Sequence, residues 1–281
     1  MKLWEVYSKG KKEISRFLGY DDYFEAASIF RLCFGVSKLD LIGSRSEEAP
    51  KEAARKFFNL ISQRVSNKPL QYILGEWEFM GDTFIVDEGV LIPREDTEVA
   101  VRVCCEVLSE EKSPTILELC SGSGIISIIL GKKFENASIT SIDISEEAIS
   151  CMKKNLLLHK MKNIKVLKQN MLIEPFYLDK KYDLIVSNPP YIPSYQINSL
   201  QKEVLREPKI ALDGGSDGLM FYRSIAKNWL KLIKETGHLV VEVGIDEAKK
   251  VKEIFCNCGL KSSIYKDLSG IDRVVSARFA C

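Results

Sequence analysis

Hydrophobic positions recur at helical spacing through the first part of the chain. Leu3, Val6, Ile14, Phe17 and Leu18 form one broken stripe. Ala26, Ile29, Phe30 and Cys33 form a second, and Ala53, Ala54, Phe57, Phe58, Leu60 and Ile61 a third. Gly19 and Gly35 stand where helices would end, and Pro50 stands near the start of the third, where proline is tolerated. Residues 1–68 are therefore expected to form a small helical domain. The texture changes over 69–92. Gln71–Met80 and Thr83–Val86 are short runs rich in aromatic and β-branched residues, with Gly81-Asp82 between them, which predicts a β-hairpin linker. Over 93–281 apolar runs alternate with helical stretches. Strands are expected at Thr115–Leu119, Ser138–Ile142, Ile164–Lys168, Asp183–Ser187, His238–Val243, Ser262–Lys266 and Arg273–Phe279. This alternation implies an α/β, doubly wound, Rossmann-like and mainly parallel sheet. So few residues separate the last two strands that they can pair as a hairpin, making one edge antiparallel.

Composition adds little and excludes some classes. The 281 residues are 46% hydrophobic and 28% charged, as in ordinary soluble globular proteins. No apolar run reaches the ~18 residues of a membrane span. The first residues lack a basic-then-apolar export pattern. A net charge of +1 gives no bulk sign of nucleic-acid binding, and none is expected. The eight cysteines make no C-x-x-C pair and read as reduced thiols of a cytoplasmic protein. His159 and His238 are far apart and have no cysteine at ligand spacing, so no metal site is expected.

The chemistry is concentrated in a turn. Asp183–Ser187 reads as a buried strand and runs into Asn188-Pro189-Pro190-Tyr191. Two prolines fix φ twice and remove two backbone donors, leaving a stiff turn whose carbonyls have no partners of their own. Asn188 adds an acceptor and Tyr191 a flat face. The arrangement suits holding a planar –NH2 group, an amide or an exocyclic amine, by its two hydrogens.

A second site precedes it. Thr115–Leu119 leads into Cys120-Ser121-Gly122-Ser123-Gly124 and then an apolar helix. Such a glycine turn lets a ligand approach backbone N–H groups at a helix N-terminus. Asp143 closes the next strand, nineteen residues after Gly124, a spacing that suits a carboxylate on ribose hydroxyls. A dinucleotide dehydrogenase fits less well: the third glycine of its fingerprint is missing, and the proline turn has no role in hydride transfer. S-adenosylmethionine accounts for both sites, with its adenosyl part on Asp143 and its methyl toward Asn188. Arg94, Asp96 and Thr97 read equally as part of the site or as the capped start of a helix. Glu242, inside an apolar strand, is expected to be buried and partnered.

Taken together, these segments resemble the HemK/PrmC family of peptide-chain-release-factor glutamine methyltransferases. The likeness rests on Pro69–Gly75 with Phe79, on Leu91-Ile92-Pro93-Arg94-Glu95-Asp96-Thr97-Glu98, on Cys120–Gly124, on Val186–Ile192, and on Glu207-Pro208 with Ala211–Gly218. It implies a class I methyltransferase domain, and transfer of a methyl from S-adenosylmethionine to the side-chain amide nitrogen of the Gln in the Gly-Gly-Gln loop of release factors. Asn188, Pro189 and Tyr191 would be catalytic, and with Pro190 would bind that amide. Cys120, Ser121, Gly122, Ser123, Gly124, Asp143, Asn170, Met171 and Asn188 would surround the cofactor. The helical domain would recognise the protein partner. Rival readings are a ribosomal-protein glutamine, or an adenine or guanine amino group of DNA or RNA, which predicts a basic groove or an added domain. A non-catalytic binding protein predicts loss of the Asn188–Tyr191 turn. Three positions depart from the family pattern. Cys120 replaces a glycine, so its φ must be negative or the turn strained; Glu118 replaces the commoner Asp; and Asn170-Met171 replaces an acidic-aromatic pair.

Overall fold

The computed structural model describes residues 1–36, 40, 43, 46–175 and 180–280. They divide into two compact units, one of 1–76 with 201–206, the other of 77–200 with 207–281.

The first unit is helical. Its elements are α1 (Leu3–Leu18), α2 (Glu25–Phe34), α3 (Lys51–Val65) and the short α4 (Leu70–Leu74). Gly19, Gly35 and Gly75 follow α1, α2 and α4 with φ of 81°, 66° and 75°, the left-handed stop that glycine makes without strain. The start of the expected hairpin, 71–74, is thus helix, not strand: Pro69 presets its first turn and Gly75 ends it, and this punctuation outweighs the strand preference of Tyr72 and Ile73. Asp22 caps α2, accepting from the N–H groups of Phe24, Glu25 and Ala26 at 3.2, 3.3 and 3.0 Å. The core gathers Val6, Ile14, Phe30, Phe57 and Ile61, with the rings of Phe30 and Phe57 edge to face at 5.5 Å. Gly10 permits the α1–α3 approach, since a Cβ there would lie 2.4 Å from the Phe57 ring.

One charge sits inside this unit. Arg64, 2% exposed, forks onto Glu25 (Nε to Oε2 2.5 Å, Nη2 to Oε1 2.9 Å) and reaches Glu203 Oε1 at 2.8 Å. Arg206 adds a bond to the Ser66 carbonyl at 3.0 Å. These contacts explain why 201–206 belongs to the helical unit although its chain neighbours do not.

The second unit opens on a hairpin, β1 (Glu76–Phe79) and β2 (Asp82–Ile85). After α5 (Thr97–Val107) come β3 (Thr115–Leu119), α6 (Ile125–Lys133), β4 (Ser138–Asp143), α7 (Glu146–Leu158), β5 (Ile164–Lys168) and β6 (Tyr182–Ser187). The chain continues through α8 (Met220–Ser224), a π turn at Ile225–Trp229, β7 (Ile233–Glu242), α9 (Ala248–Cys256), β8 (Leu260–Lys266) and β9 (Asp272–Phe279). The sheet has seven strands in the order β5-β4-β3-β6-β7-β9-β8. The first five are parallel, and β9 pairs antiparallel with both β7 and β8, which gives the expected antiparallel edge. Strand β7 begins five residues before the expected His238, because Ile233 already pairs with Tyr182 across a bulge.

Side-chain alternation builds two layers. Leu117, Leu119, Ile185, Leu239 and Val241 face Tyr222, Trp229 and Phe255. Ile116, Leu184, Val186 and Val240 face Val101 and Cys104 of α5 and Ile126 and Leu130 of α6. Strand β6 is buried along its whole length, as a central parallel strand must be. No described helix is long and apolar enough to cross a membrane.

Arg64→Ala would strand the Glu25 carboxylate, part-buried beside the space the guanidinium leaves. Thermal unfolding followed by circular dichroism should show a loss of roughly 3 kcal/mol, the low end for a broken buried pair because solvent reaches Glu203. An unchanged midpoint would mean these carboxylates are adequately hydrated without it.

Candidate active site

The strand order reverses at β3: β4 lies on one side and β6 on the other, both parallel to it. Chains leaving these strands diverge at their carboxyl ends, where open α/β sheets bind ligands. The residues assigned to the cofactor and to the amide turn lie on these exits, whereas Arg94, Asp96 and Thr97 stand at the start of α5. Cys120 follows β3, Asp143 ends β4, Asn170 and Met171 follow β5, and Asn188 follows β6. A cavity of about 160 Å³ opens there. Cys120, Ser121, Gly122, Ser123, Asp143, Asn170, Met171, Asn188 and Pro190 line it; Gly124, Pro189 and Tyr191 do not.

The glycine turn alternates its backbone hand. Cys120, Gly122 and Gly124 have φ of 57°, 53° and 82°. Cys120 is therefore strained, a non-glycine residue in left-handed space. Its thiol lies 3.1 Å from the Met171 sulfur, and burial pushes its pKa well up, which favours the thiol over the thiolate. Gly124 is needed twice over: for its φ, and because a Cβ would lie 2.7 Å from Met152 on α7. Asn155 of α7, fully buried, braces the turn. Its Nδ2 donates to the carbonyls of Ser123 and Ile85, both at 3.0 Å, and its Oδ1 accepts from the Ile85 N–H at 2.7 Å.

Asp143 is held by backbone. Oδ2 accepts from Gly122 N–H at 2.8 Å and Oδ1 from Ser145 N–H at 2.9 Å. Burial raises its carboxyl above the usual range, while these donors pull the other way. Each oxygen keeps lone pairs for a ligand hydroxyl. Asn170 turns its side chain back onto the Leu172 N–H at 2.9 Å. Met171 is pinned from below: its carbonyl accepts from Ser224 Oγ and Trp229 Nε1, both at 2.7 Å. The π turn puts these two donors where the β5 exit needs them.

Two buried polar atoms on the cavity wall have no partner: Ser121 Oγ and Gln169 Nε2. Buried polar groups are rarely left unpaired in native proteins. Glu118, 1% exposed, hydrogen-bonds Ser127, and burial pushes its pKa up to about 8.

Asn188 donates from Nδ2 to Thr97 Oγ1 at 3.1 Å. Pro189 and Pro190 are buried behind it. Tyr191 turns away from the cavity, toward Gly244, and its hydroxyl reaches Glu242 at 3.4 Å. The chain after it zips onto the Ala211–Gly218 segment: Ile192 N–H to Leu212 O and Gly214 N–H to Ile192 O are both 2.9 Å. Gly214 permits this, since a Cβ would lie 2.7 Å from Tyr191 Cα. Glu207, 5% exposed, accepts from Ile92 N–H at 3.0 Å and pairs with Arg94, joining the two outer walls. Asn155, Gln169 and Glu207 were not predicted as site residues, and Thr97 was read equally as part of the site or as the start of a helix. Glu207 and Thr97 stood in segments already singled out, whereas nothing local marks Asn155 or Gln169.

Residues 83–227 match the family described as Methyltransferase small domain, and residues 19–75 the one described as PrmC N-terminal domain. A release factor glutamine methyltransferase from Fusobacterium nucleatum is 43% identical over 257 residues, covering 90% of this chain and 72% of the relative. One from Aquifex aeolicus is 37% identical over 278 residues, covering 99% and 96%. Among solved structures, the hMettl16 catalytic domain in complex with the MAT2A 3′UTR hairpin 6 superposes with a TM-score of 0.59 at 15% identity, covering 79% and 83%, which shows the shared fold. Over nearly its whole length, then, the chain belongs to the release factor glutamine methyltransferase family.

Proposed function

We propose that the protein transfers a methyl group from S-adenosylmethionine to the side-chain amide nitrogen, N5, of the Gln in the Gly-Gly-Gln loop of peptide chain release factors. The observation that carries this reading is the place of Asn188 on the cavity wall with its –NH2 donating to Thr97, from which we assign its oxygen to the cavity. An acceptor at the mouth of a stiff Asn-Pro-Pro turn selects an N–H donor. The names carried by the relatives point to a glutamine side chain as that donor. A release factor works in translation, so we place the reaction in the cytoplasm. We assign the helical unit the grip on the protein partner.

The cavity fits the methyl donor. Asp143 offers lone pairs to ribose hydroxyls, and Ser121 Oγ and Gln169 Nε2 are unpaired polar atoms on the same wall. Cys120, Ser121, Gly122 and Ser123 with Asn170 and Met171 enclose it, and Gly124 shapes the turn beneath. S-adenosylmethionine, when bound, supplies a methyl on a positively charged sulfur.

The chain's own residues deal with a poor nucleophile. An amide nitrogen delocalises its lone pair into its carbonyl. We assign the Asn188 oxygen and the Pro189 carbonyl to its two N–H groups, holding the nitrogen so that the lone pair faces the methyl carbon. These bonds strengthen as the nitrogen gains positive charge, so they favour the transition state. The new C–N bond forms as the C–S bond breaks, its electron pair stays on sulfur, and the nitrogen loses one proton to solvent. Alignment supplies much of the rate. Pro190 keeps the turn rigid, and Tyr191, from its place behind the turn, supports it.

Incubation with purified release factor and methyl-labelled S-adenosylmethionine should label the wild-type factor and not one whose loop Gln is Ala. Label retained on the Ala factor, or found only on nucleic acid, would overturn the proposal. Asn188→Ala should abolish turnover and leave S-adenosylhomocysteine affinity largely intact. Ser121→Ala should weaken that affinity by roughly tenfold in calorimetry, the worth of about one hydrogen bond. Full affinity in this variant would remove Ser121 from the donor site.

A further inference from the structure

The Asn188–Tyr191 turn is a short stiff rod, because Pro189 and Pro190 each fix φ. Its middle holds still only if both ends are anchored. One anchor is the end of β6: Ser187 pairs with Leu119 in the ladder, and its Oγ donates to the Leu119 carbonyl at 2.8 Å. The other anchor is Tyr191, and its seat is made of glycines.

Gly214, Gly218 and Gly244 lie against Tyr191, and all three are buried. A Cβ on Gly214 would lie 2.7 Å from Tyr191 Cα and 2.8 Å from its carbonyl carbon. One on Gly218 would lie 2.5 Å from the Tyr191 oxygen. One on Gly244, just past β7, would lie 3.0 Å from Cδ2 of the ring. Glu247, 7% exposed, closes the seat: Oε1 lies against Gly218, and Oε2 would be 2.9 Å from a Cβ on Gly244. The Tyr191 ring packs on the core layer that holds Tyr222 and Val243. Gly218 has a left-handed φ of 79°, whereas Gly214 and Gly244 lie outside that region, so space rather than φ excludes a side chain there. The chain beyond Tyr191 is fastened to the same loop: Ser194 N–H donates to the Gly215 carbonyl at 2.8 Å and Ser194 Oγ to Asp213 Oδ1 at 2.6 Å.

We infer that Gly214 and Gly244 are positioning residues: by admitting Tyr191 to a seat without side chains, they fix the far end of the turn and so hold the Asn188 oxygen and the Pro189 carbonyl in place for the substrate amide. The inference rests on the reading that these two acceptors hold that amide. It gives Tyr191, which does not line the cavity, a reason to follow the two prolines.

The prolines transmit a disturbance instead of absorbing it. Neither can rotate φ, so a displacement of Tyr191 passes back along the turn to the acceptors. A Cβ at Gly214 would meet backbone, which yields only if the Tyr191 end of the turn and the 213–218 loop part from each other. Reaction rates are sensitive on this scale: a misplacement of 1 Å costs about a hundredfold. The methyl-donor side of the cavity stands on other strand exits, after β3, β4 and β5, and does not share the seat.

The test uses the full-length protein with S-adenosylmethionine and purified release factor, well below the unfolding midpoint of each variant. Gly214→Ala should lower kcat by about tenfold or more, and Gly244→Ala, where the ring can tilt, by about threefold or more. Both should keep the KM for the methyl donor and the affinity for S-adenosylhomocysteine within about twofold. Gly237→Ala is the matched control. A Cβ there would lie 2.8 Å from the Tyr182 carbonyl, so it crowds β6 as tightly, but at the start of that strand. It should lower the unfolding temperature and keep kcat within about twofold. In ¹⁵N-labelled protein, the Asn188 side-chain amide resonances should move in Gly214→Ala and stay in Gly237→Ala. In the wild-type protein, the Ile192 and Gly214 amides should exchange with solvent far more slowly than that of Leu268, which is 96% exposed. Exchange at the Leu268 rate would mean that the seat does not hold, whether or not the variants fold. If Gly214→Ala and Gly244→Ala keep kcat within about twofold, or Gly237→Ala loses as much as they do, the seat does not position the acceptors even though Asn188→Ala is inactive. If Asn188→Ala itself turns over at the wild-type rate, the reading beneath it falls first.

Discussion

The parallel pairing of β3 with β4 on one side and β6 on the other is the constraint on which the rest depends. It makes two chains leave the sheet in diverging directions from adjacent strand ends. The cleft between them needs no further design, only side chains suited to it. The glycine turn, Asp143 and the Asn188 turn share a site because their strands are neighbours: Leu119 pairs with both Ile142 and Ser187. A Ser187 hydroxyl bond to the Leu119 carbonyl at 2.8 Å holds the two exits together where the ladder stops.

That placement creates a problem of polar satisfaction. Irregular chain at the top of a sheet carries backbone groups without ladder partners. Here buried side chains from distant elements take them up: Asn155 for the glycine turn, Trp229 and Ser224 for the β5 exit, Glu207 for the segment before Arg94. Where this pairing is complete the loops are fixed. Where it is left open, at Ser121 and Gln169, the unpaired atoms belong to residues that line the cavity. Cys120 adds strain at the same place, and its positive φ shows that the turn's path is set by its surroundings rather than by its first residue.

Much of this was legible in the sequence. The strands of the second unit, the antiparallel edge and the glycine stops of the helices arise from local period and punctuation. The resemblance carried the site further than periodicity could. The misreading at 71–74 comes from neglect of context: Tyr72 and Ile73 suit a strand, yet Pro69 and Gly75 make the segment helix. Arg64 with Glu203 and Asn155 with Ile85 join positions far apart in the chain, and no spacing announces them.

At the centre of the proposed chemistry, the Asn188–Tyr191 turn holds a side-chain amide by its two hydrogens. The most direct measurement is a crystal structure of the protein with S-adenosylhomocysteine and a release-factor fragment carrying the Gly-Gly-Gln loop. The Gln amide nitrogen is expected within hydrogen-bond distance of both the Asn188 oxygen and the Pro189 carbonyl, on the cofactor side of the turn. A Gln lodged elsewhere, or met by the Asn188 –NH2 instead of its oxygen, would contradict that chemistry.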